Sequence, residues 1–522
     1  MTTTLAHVRA YYDSVPYTSH AYMYSSPEQL AAVAHIFGLP APPVASARVL
    51  ELGGASGGNL IPLALRYPEL KALELDLSPV QIDLGARHAD RLGLDNILLR
   101  QADLAEVDSE SLGEFDYIIC HGVYSWVPPH VQDALLRICS RNLAPDGVAY
   151  VSYNTYPGWK AKEMIRDAML LHGSTRSDPK EQIAYARGMV GFLQQVARKE
   201  GMLARALEEN LPYLRKGDDH YLAHEYLEPY NLPCYFHQFL ERATGHGLSY
   251  LGEAQPAMMI PGNYGNDIAE PLLRAFGHDQ ARMEQYLDFA INRGFRQTLL
   301  VHASRAGDIR YRLDRQRLQS VHFAARLPCA AGDSRFDGSI QEYGTKGEPS
   351  VSTSSDAVKR ALDLLTQAWP MTIGRNELVG GVEASLDPSR APPRDLVEAA
   401  IDELLEFLIL RGTARIRLAP VLASADTSTP HPRVDPLVRR MTAALEGEGS
   451  YVANAWHESI ELSPVERALY PSMDGSLDRE GLIRLLVDKR SAVNASGDVA
   501  REASSDVERM LARLPEQAVL LP

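Results

Sequence analysis

Short apolar runs alternate with amphipathic stretches along the first three hundred residues. Residues 47–52 (ARVLEL) are apolar and closed by glycines, the form of a strand buried on both faces. Residues 59–66 continue as a helix. A second strand is predicted over 72–77. Ser78 and Pro79 then supply an N-cap and a first helical residue for a helix to about Leu92. Residues 96–100, 115–120 and 147–153 read as the third, fourth and fifth strands, with a helix over 131–143. Strands alternating with helices predict an α/β fold with a parallel, doubly wound sheet. From about 160 to 230 the apolar positions recur at helical spacing. This stretch is predicted as a helical insertion capping the open edge of the sheet. A helix over 233–245 and strands over 248–253 and 297–302 complete the same sheet.

The pattern then changes. Residues 331–356 are rich in Gly, Ser and Thr and read as a linker or exposed loop. Residues 357–420 read as three helices and a hairpin, with Gly412 between two β-type runs. That order suits a winged-helix unit. A second linker, 423–433, leads to a last module with a strand (451–462), a capped helix (463–470) and a further helix (477–488). The division expected is an N-terminal segment (1–45) lying over the site and a core (46–305). A middle winged-helix-like domain (306–425) and a C-terminal domain (433–522) follow.

Composition narrows the class. The chain has 522 residues, 45% hydrophobic and 23% charged, which suits a folded soluble protein. A formal net charge of −15 argues against a nucleic-acid binder held by phosphate contacts. The 357–420 unit carries eight Lys and Arg against nine Asp and Glu, so it too lacks a basic recognition face. No apolar run is long enough to span a membrane, and no signal peptide is visible. Four cysteines without CxxC spacing predict reduced thiols in a cytoplasmic protein, and no metal site is expected.

The chemistry concentrates in VLELGGASGGN, residues 49–59. A strand ends in an acid and runs directly into a glycine-rich turn that opens a helix. Such a turn passes close to a ligand without Cβ atoms in the way, beside unpaired N–H groups. The pattern is Glu51-x-Gly53-x-Ala55-x-Gly57, not GxGxxG. An acid there disfavours a pyrophosphate and favours a cationic ligand, such as the sulfonium and ammonium of S-adenosylmethionine. Asp76 ends the second strand, where a carboxylate accepts from both ribose hydroxyls. Asp103 follows the third strand, within reach of an adenine amino group. The fourth strand ends in Cys120-His121-Gly122 at the carboxyl edge, where open α/β sheets bind ligands. Aromatic residues gather in the N-terminal segment and in the loops after strands four and five. Tyr12, Tyr17, Trp126 and Tyr153 are the candidates to line the methyl-transfer site, by cation–π contact or by lid packing.

ELGGASGGNLIPLA, LDLSPVQI, FDYIICHGVYSWVPP and SYNTYPGW resemble class I S-adenosylmethionine-dependent methyltransferases. More narrowly, they resemble the bacterial group with a methyltransferase regulatory domain, which includes the rickettsial-type protein lysine methyltransferases. YNLPCYFHQFLERATGHGLSYLGEA and NRGFRQTLLVHA resemble the regulatory segment, placed at about 218–305. AWHESIELSPVERALYPSMDGSLDREGLI resembles the C-terminal module of that group. Ala55 departs from the usual middle glycine, and Gly54 stands where a Cys is expected. The resemblance implies a Rossmann-like methyltransferase sheet followed by α+β winged-helix-like C-terminal modules. It implies Glu51, Gly53, Ala55, Gly57, Asn59, Asp76, Leu77, Asp103, Leu104 and His121 at the S-adenosylmethionine site, with S-adenosylhomocysteine as product. His121 would stand beside the methyl-transfer channel.

The function expected is N-methylation of lysine in a protein or peptide. The alternatives are methylation of a peptide carboxylate or a small natural product, and a non-catalytic cofactor-binding regulator. The C-terminal modules are expected to serve substrate docking or homodimerisation, with no nucleic acid and no membrane as partners. The NPPY-type motif of adenine and glutamine methyltransferases is absent; Tyr153-Asn154-Thr155-Tyr156-Pro157 follows the fifth strand instead of the fourth.

Overall fold

The computed structural model describes residues 19–173, 179–216, 222–228, 230–345, 351–387, 392–445, 451–491 and 499–522. Seven strands form the central sheet: β1 (Arg48–Leu52), β2 (Lys71–Asp76), β3 (Ile97–Gln101), β4 (Phe115–Cys120), β5 (Leu143–Asn154), β6 (Leu248–Glu253) and β7 (Phe295–His302). Their order is β3-β2-β1-β4-β5-β7-β6. β1 to β5 pair in parallel, as the alternation predicts. The parallel sheet needs one correction: β7 runs antiparallel to both β5 and β6. The helices Asn266–Phe276 and Gln280–Ile291 fill the connection from β6 to β7. Asn154, at the end of β5, pairs with Phe295, at the start of β7. The chain therefore re-enters at the edge where β6 ended, and β7 must run backwards.

Local signals set the elements next to the site. Ser78 accepts from the Gln81 N–H, Pro79 opens helix Pro79–Leu92, and Gly93 closes it in the left-handed region. β1 is buried along its last four residues. The insertion folds as Trp159–Gly173, Pro179–Val196 and Met202–Lys216 around its own core, including Ile165, Met169, Ala186 and Leu207.

The middle module contributes β8 (His322–Ala324), β9 (Gln341–Tyr343), β10 (Val351–Thr353), β11 (Ile373–Gly374) and β12 (Arg415–Arg417). β9 and β10 pair within the stretch predicted as linker. The hairpin predicted around Gly412 is not formed. Helix Arg394–Arg411 runs up to that glycine, which caps it at φ 72°. Val397, Ile401, Leu404, Leu405 and Leu408 bury one helical face, and that period overrides the β-type composition. β12 pairs instead with the distant β8. The strand predicted over 451–462 is a hairpin of β13 (Tyr451–Ala453) and β14 (Ser459–Glu461). The Asn454 side chain turns it, accepting from the N–H groups of Trp456 and Glu458 at 2.9 Å each.

The modules do not stand apart. One core joins Leu30, Val49, Ile119 and Leu299 of the sheet region to Phe323, Leu362, Leu405 and Ile416 of the middle module. A second joins Ile61, Leu65 and Leu92 to Val438, Met441, Leu482 and Val507 of the C-terminal module. Among the described residues, no helix is long and apolar enough to cross a membrane.

Arg296 on β7 is fully buried over the Phe236 ring. It donates to Glu253 at 2.7 Å, Glu284 at 3.1 Å and Asp288 at 2.8 Å. Burial still pushes the Glu284 carboxyl up to about 7. Removing the guanidinium would leave Glu253 and Glu284 buried without a cationic partner, and Asp288 with Arg293 alone at 2.9 Å. Arg296→Met is expected to lose about 3–5 kcal/mol of stability, read as a lower urea midpoint. A midpoint within error of the parent would refute that role.

Candidate functional site

The glycine-rich turn leaves β1 after Leu52, and the Gly53 N–H still reaches Leu75 O of β2 at 2.7 Å. Gly53, Ala55 and Gly57 all have positive φ, at 79°, 59° and 76°. Ala55 holds that conformation at a cost a glycine would avoid. The turn is also sterically closed. A Cβ on Gly53 would meet Val123 Cγ2 at 2.5 Å, and one on Gly57 would meet Ile61 at 2.9 Å. A Cβ on Gly54 would lie 2.7 Å from the Glu74 carboxyl carbon. That carboxyl fills the space a side chain at position 54 would need.

Three carboxylates meet beneath this turn. β1 and β2 are in register with Glu51 opposite Glu74, and Asp76 ends β2. Glu51 Oε1 accepts from Asn59 Nδ2 at 2.9 Å. Glu51 Oε2 and both Glu74 oxygens are buried with no hydrogen-bond partner among the described residues. Burial, and then the Asp76 charge, raise Glu51 to about 7. Burial and the charges of Glu51 and Asp76 hold Glu74 well above the carboxylate range. Asp76 accepts the Ala55 N–H at 3.0 Å and the Ser78 N–H at 2.8 Å. Asp103 caps its own turn through the Ala105 N–H at 2.9 Å.

Two distant segments close over the turn. Ser19 Oγ donates to Gly54 O at 2.9 Å and accepts the Gly58 N–H at 2.8 Å. The Tyr22 N–H reaches Asn59 Oδ1 at 3.2 Å. From the C-terminal hairpin, His457 Nε2 meets the same Asn59 Oδ1 at 2.8 Å.

His121 stands at the end of β4 with Tyr22 stacked on it at 4.3 Å between ring centroids. Tyr150 lies at 5.8 Å and Phe295 at 6.4 Å. Its Nδ1 is bound by Tyr150 Oη at 2.9 Å and Ser152 Oγ at 3.3 Å. Burial among these groups lowers its pKa to about 4, so it is neutral at physiological pH.

The expected site residues thus fall into two groups. Glu51, Gly53, Ala55, Gly57 and Asn59 lie along one turn, and Asp76 stands beside it at the end of β2. Leu77 follows β2 in the same loop, and Asp103 and Leu104 follow β3. Trp126 packs edge-on against Trp159 at 6.0 Å, and Tyr153 is buried, stacked on Phe239 at 4.1 Å with its hydroxyl on Thr298. Neither joins the rings around His121, which are those of Tyr22, Tyr150 and Phe295. Tyr12 and Tyr17 lie outside the described residues. Sequence reasoning missed Ser19, Glu74, Ser152 and His457. Only Glu74 left a signal, standing two residues before Asp76 on the strand that pairs with Glu51.

These residues fit a cationic nucleoside ligand. The cradle excludes Cβ atoms, an orphaned Glu51 oxygen awaits a donor, and a second carboxylate ends the neighbouring strand. Among the described residues, no group of three or more His, Cys, Asp or Glu side chains could hold a metal.

Comparisons with known proteins agree. Residues 49–147 match a model of a methyltransferase domain, and residues 218–302 a predicted methyltransferase regulatory domain. Residues 431–519 match the PKMT C-terminal winged helix domain. The winged-helix match therefore lies on the last module, whereas the order of elements had suggested that shape for 357–420. The protein RP789 of Rickettsia prowazekii is 33% identical over 483 residues, covering 91% of this chain and 85% of its own. RP028 of the same organism is 36% identical over 233 residues, 44% of this chain and 93% of its own. PKMT2 from Rickettsia typhi superposes with a TM-score of 0.83 at 26% identity, over 97% of this chain and all of its own. That protein was also solved in complex with AdoHcy. The chain belongs to the rickettsial PKMT type of S-adenosylmethionine-dependent methyltransferases.

Proposed function

We propose that this enzyme N-methylates lysine side chains of a protein or peptide. The likeness to PKMT2 over the whole chain carries that reading, because it includes the modules beyond the sheet as well as the cofactor fold. The absence of an NPPY-type motif supports it against base and glutamine acceptors.

Bound S-adenosylmethionine supplies an electrophilic methyl group on a sulfonium sulfur. In this reading the turn from Gly53 through Ala55 to Gly57 receives the methionine portion. Glu51 Oε2 takes its cationic groups, held in place by Asn59. Asp76 and Leu77 line the ribose, and Asp103 and Leu104 the adenine. His121 stays neutral and sets no cation against the sulfonium. Tyr22 and Phe295 flank it, and an aromatic face toward a cation is worth about 0.5–2 kcal/mol. A lysine ammonium must lose its proton before it attacks. A histidine with a pKa of about 4 is too weak a base to take that proton. His121 therefore orients through Tyr150 and Ser152, and desolvation of the acceptor lowers its pKa.

The test incubates the enzyme with methyl-labelled S-adenosylmethionine and cell lysate, then fractionates by size and hydrolyses the label in acid. Methyllysine recovered from macromolecules is the expected result. Base-labile label, or label only in small molecules, would overturn the lysine assignment in favour of carboxylate or natural-product acceptors.

Two further outcomes are expected at the cofactor site. Asp76→Ala should weaken S-adenosylmethionine binding about 10- to 100-fold by calorimetry while the protein stays folded, since hydrogen bonds to a charged group are lost. Glu51 binds a cation only when ionised, and its pKa stands near 7. Affinity should therefore be highest above pH 7 and fall as pH drops from 8 to 6. Glu51→Gln should abolish that slope; an unchanged slope would remove Glu51 from the contact.

A further inference from the structure

The C-terminal hairpin is remote in sequence from the cofactor turn, with His457 standing 398 positions after Asn59, yet it supplies a side chain to that turn. His457 is buried and sits at φ 61°. A left-handed backbone is uncommon for any residue other than glycine and persists where the surroundings demand it. Glycine or asparagine would hold the bend with less strain. The side chain is what the position gains.

Hydrogen bonding fixes its role. The Tyr22 main-chain N–H can only donate, so the Asn59 atom facing it is the oxygen. The opposite amide orientation would set two donors against each other. His457 Nε2 faces that same oxygen, so Nε2 carries the proton. Nδ1 is then the bare nitrogen, and it is the one without a partner among the described residues. The Asn59 amide group is thereby turned to Ser25 Oγ at 3.2 Å and to Glu51 Oε1 at 2.9 Å. Glu51 is left with Oε2 as its open oxygen. Arg66 ties the same hairpin to the helix after the turn, donating to Asn454 O at 2.6 Å and Ala455 O at 2.8 Å.

We infer that His457 is a positioning residue of the cofactor site: its Nε2–H locks the Asn59 amide, and Asn59 in turn orients Glu51 toward the cationic cofactor. The winged-helix module thereby completes the cofactor site from outside the methyltransferase sheet. This rests on the reading that Glu51 holds the cofactor.

The test measures kcat, KM for S-adenosylmethionine, and its binding against pH. The variants are His457→Leu, His457→Gln, His457→Asn and Glu51→Gln in the full chain. The glutamine amide nitrogen stands three bonds from Cβ, as Nε2 does in histidine; the asparagine nitrogen stands one bond nearer. His457→Leu is expected to raise KM for S-adenosylmethionine about five- to tenfold, with kcat within twofold, the scale of one lost hydrogen bond. His457→Gln should restore KM to within about twofold, and His457→Asn should not. If His457→Leu fails to fold, the Gln and Asn pair decides the question.

The pH profile gives a readout that packing alone would not move. Glu51 faces Glu74 and Asp76 from β2, Cys120 from β4, Asn59, and His457 through Asn59. His457 itself lies near Glu28, Arg66 and Arg417 and stays neutral with a pKa of about 4. Loosening Asn59 withdraws its donation to Glu51, so the pH below which affinity falls should move upward in His457→Leu and return in His457→Gln. Equal losses in the Leu and Gln variants, or an unchanged KM in His457→Leu beside a raised one in Glu51→Gln, would overturn the inference and leave the Glu51 reading intact. An unchanged KM in Glu51→Gln would overturn both.

Discussion

Glu51 and Glu74 are buried side by side under the glycine turn, and among the described residues no basic side chain bonds to either. Two carboxylates so placed repel each other and resist ionisation. Such an arrangement is costly in a fold that has no use for it, and it becomes favourable when a cation arrives. The surrounding structure serves that constraint. Gly53, Gly54 and Gly57 leave the space the carboxyls and their neighbours need. Asn59 and the main chain at 55 and 78 hold the acids in place. Helix Leu60–Arg66 carries the turn forward and anchors it to the C-terminal hairpin.

The modules beyond the sheet are part of the same device. The segment at 19–25 lies between the turn and the hairpin, with Ser19 on Gly54 and Gly58, His20 edge-on to Tyr451 at 4.4 Å, and Tyr22 on His121. Arg417 of β12 reaches Gln29 Oε1 at 2.6 Å from below. The middle module thus braces helix Pro27–Ile36, and the C-terminal module the glycine-rich turn.

The carboxyl edge around His121 has a different character. His121, Tyr22, Tyr150 and Phe295 form an aromatic wall at the carboxyl edge, and Phe295 is 40% exposed. The reversal of β7 puts Phe295 there: had β7 run parallel, its first residue would stand at the opposite edge. The buried Arg296 beside it, bonded to Glu253, Glu284 and Asp288, ties that strand end to the helix behind.

The sequence by itself determined the glycine-rich turn, the strands of the sheet and the caps of the helix after β2. These depend on neighbours in the chain: a glycine where φ is positive, an acid at a strand end, a Ser-Pro at a helix start. It also exposed Asp76 and Asp103, because the spacing of a strand–helix repeat is regular. The direction of β7 was not legible, since it depends on which edge the intervening helices occupy. Gly412 misled because a residue that ends a helix and one that turns a hairpin obey the same backbone rule; only the buried face of the preceding helix distinguishes them. Ser19, Ser152 and His457 could not be read at all. Their roles depend on partners from 30 to 398 residues away, and no local pattern encodes such distances. The tertiary structure alone decided that the last module turns back onto the helices after β1 and β2, because the apolar faces at Ile61, Leu65 and Leu92 need the cover that module supplies.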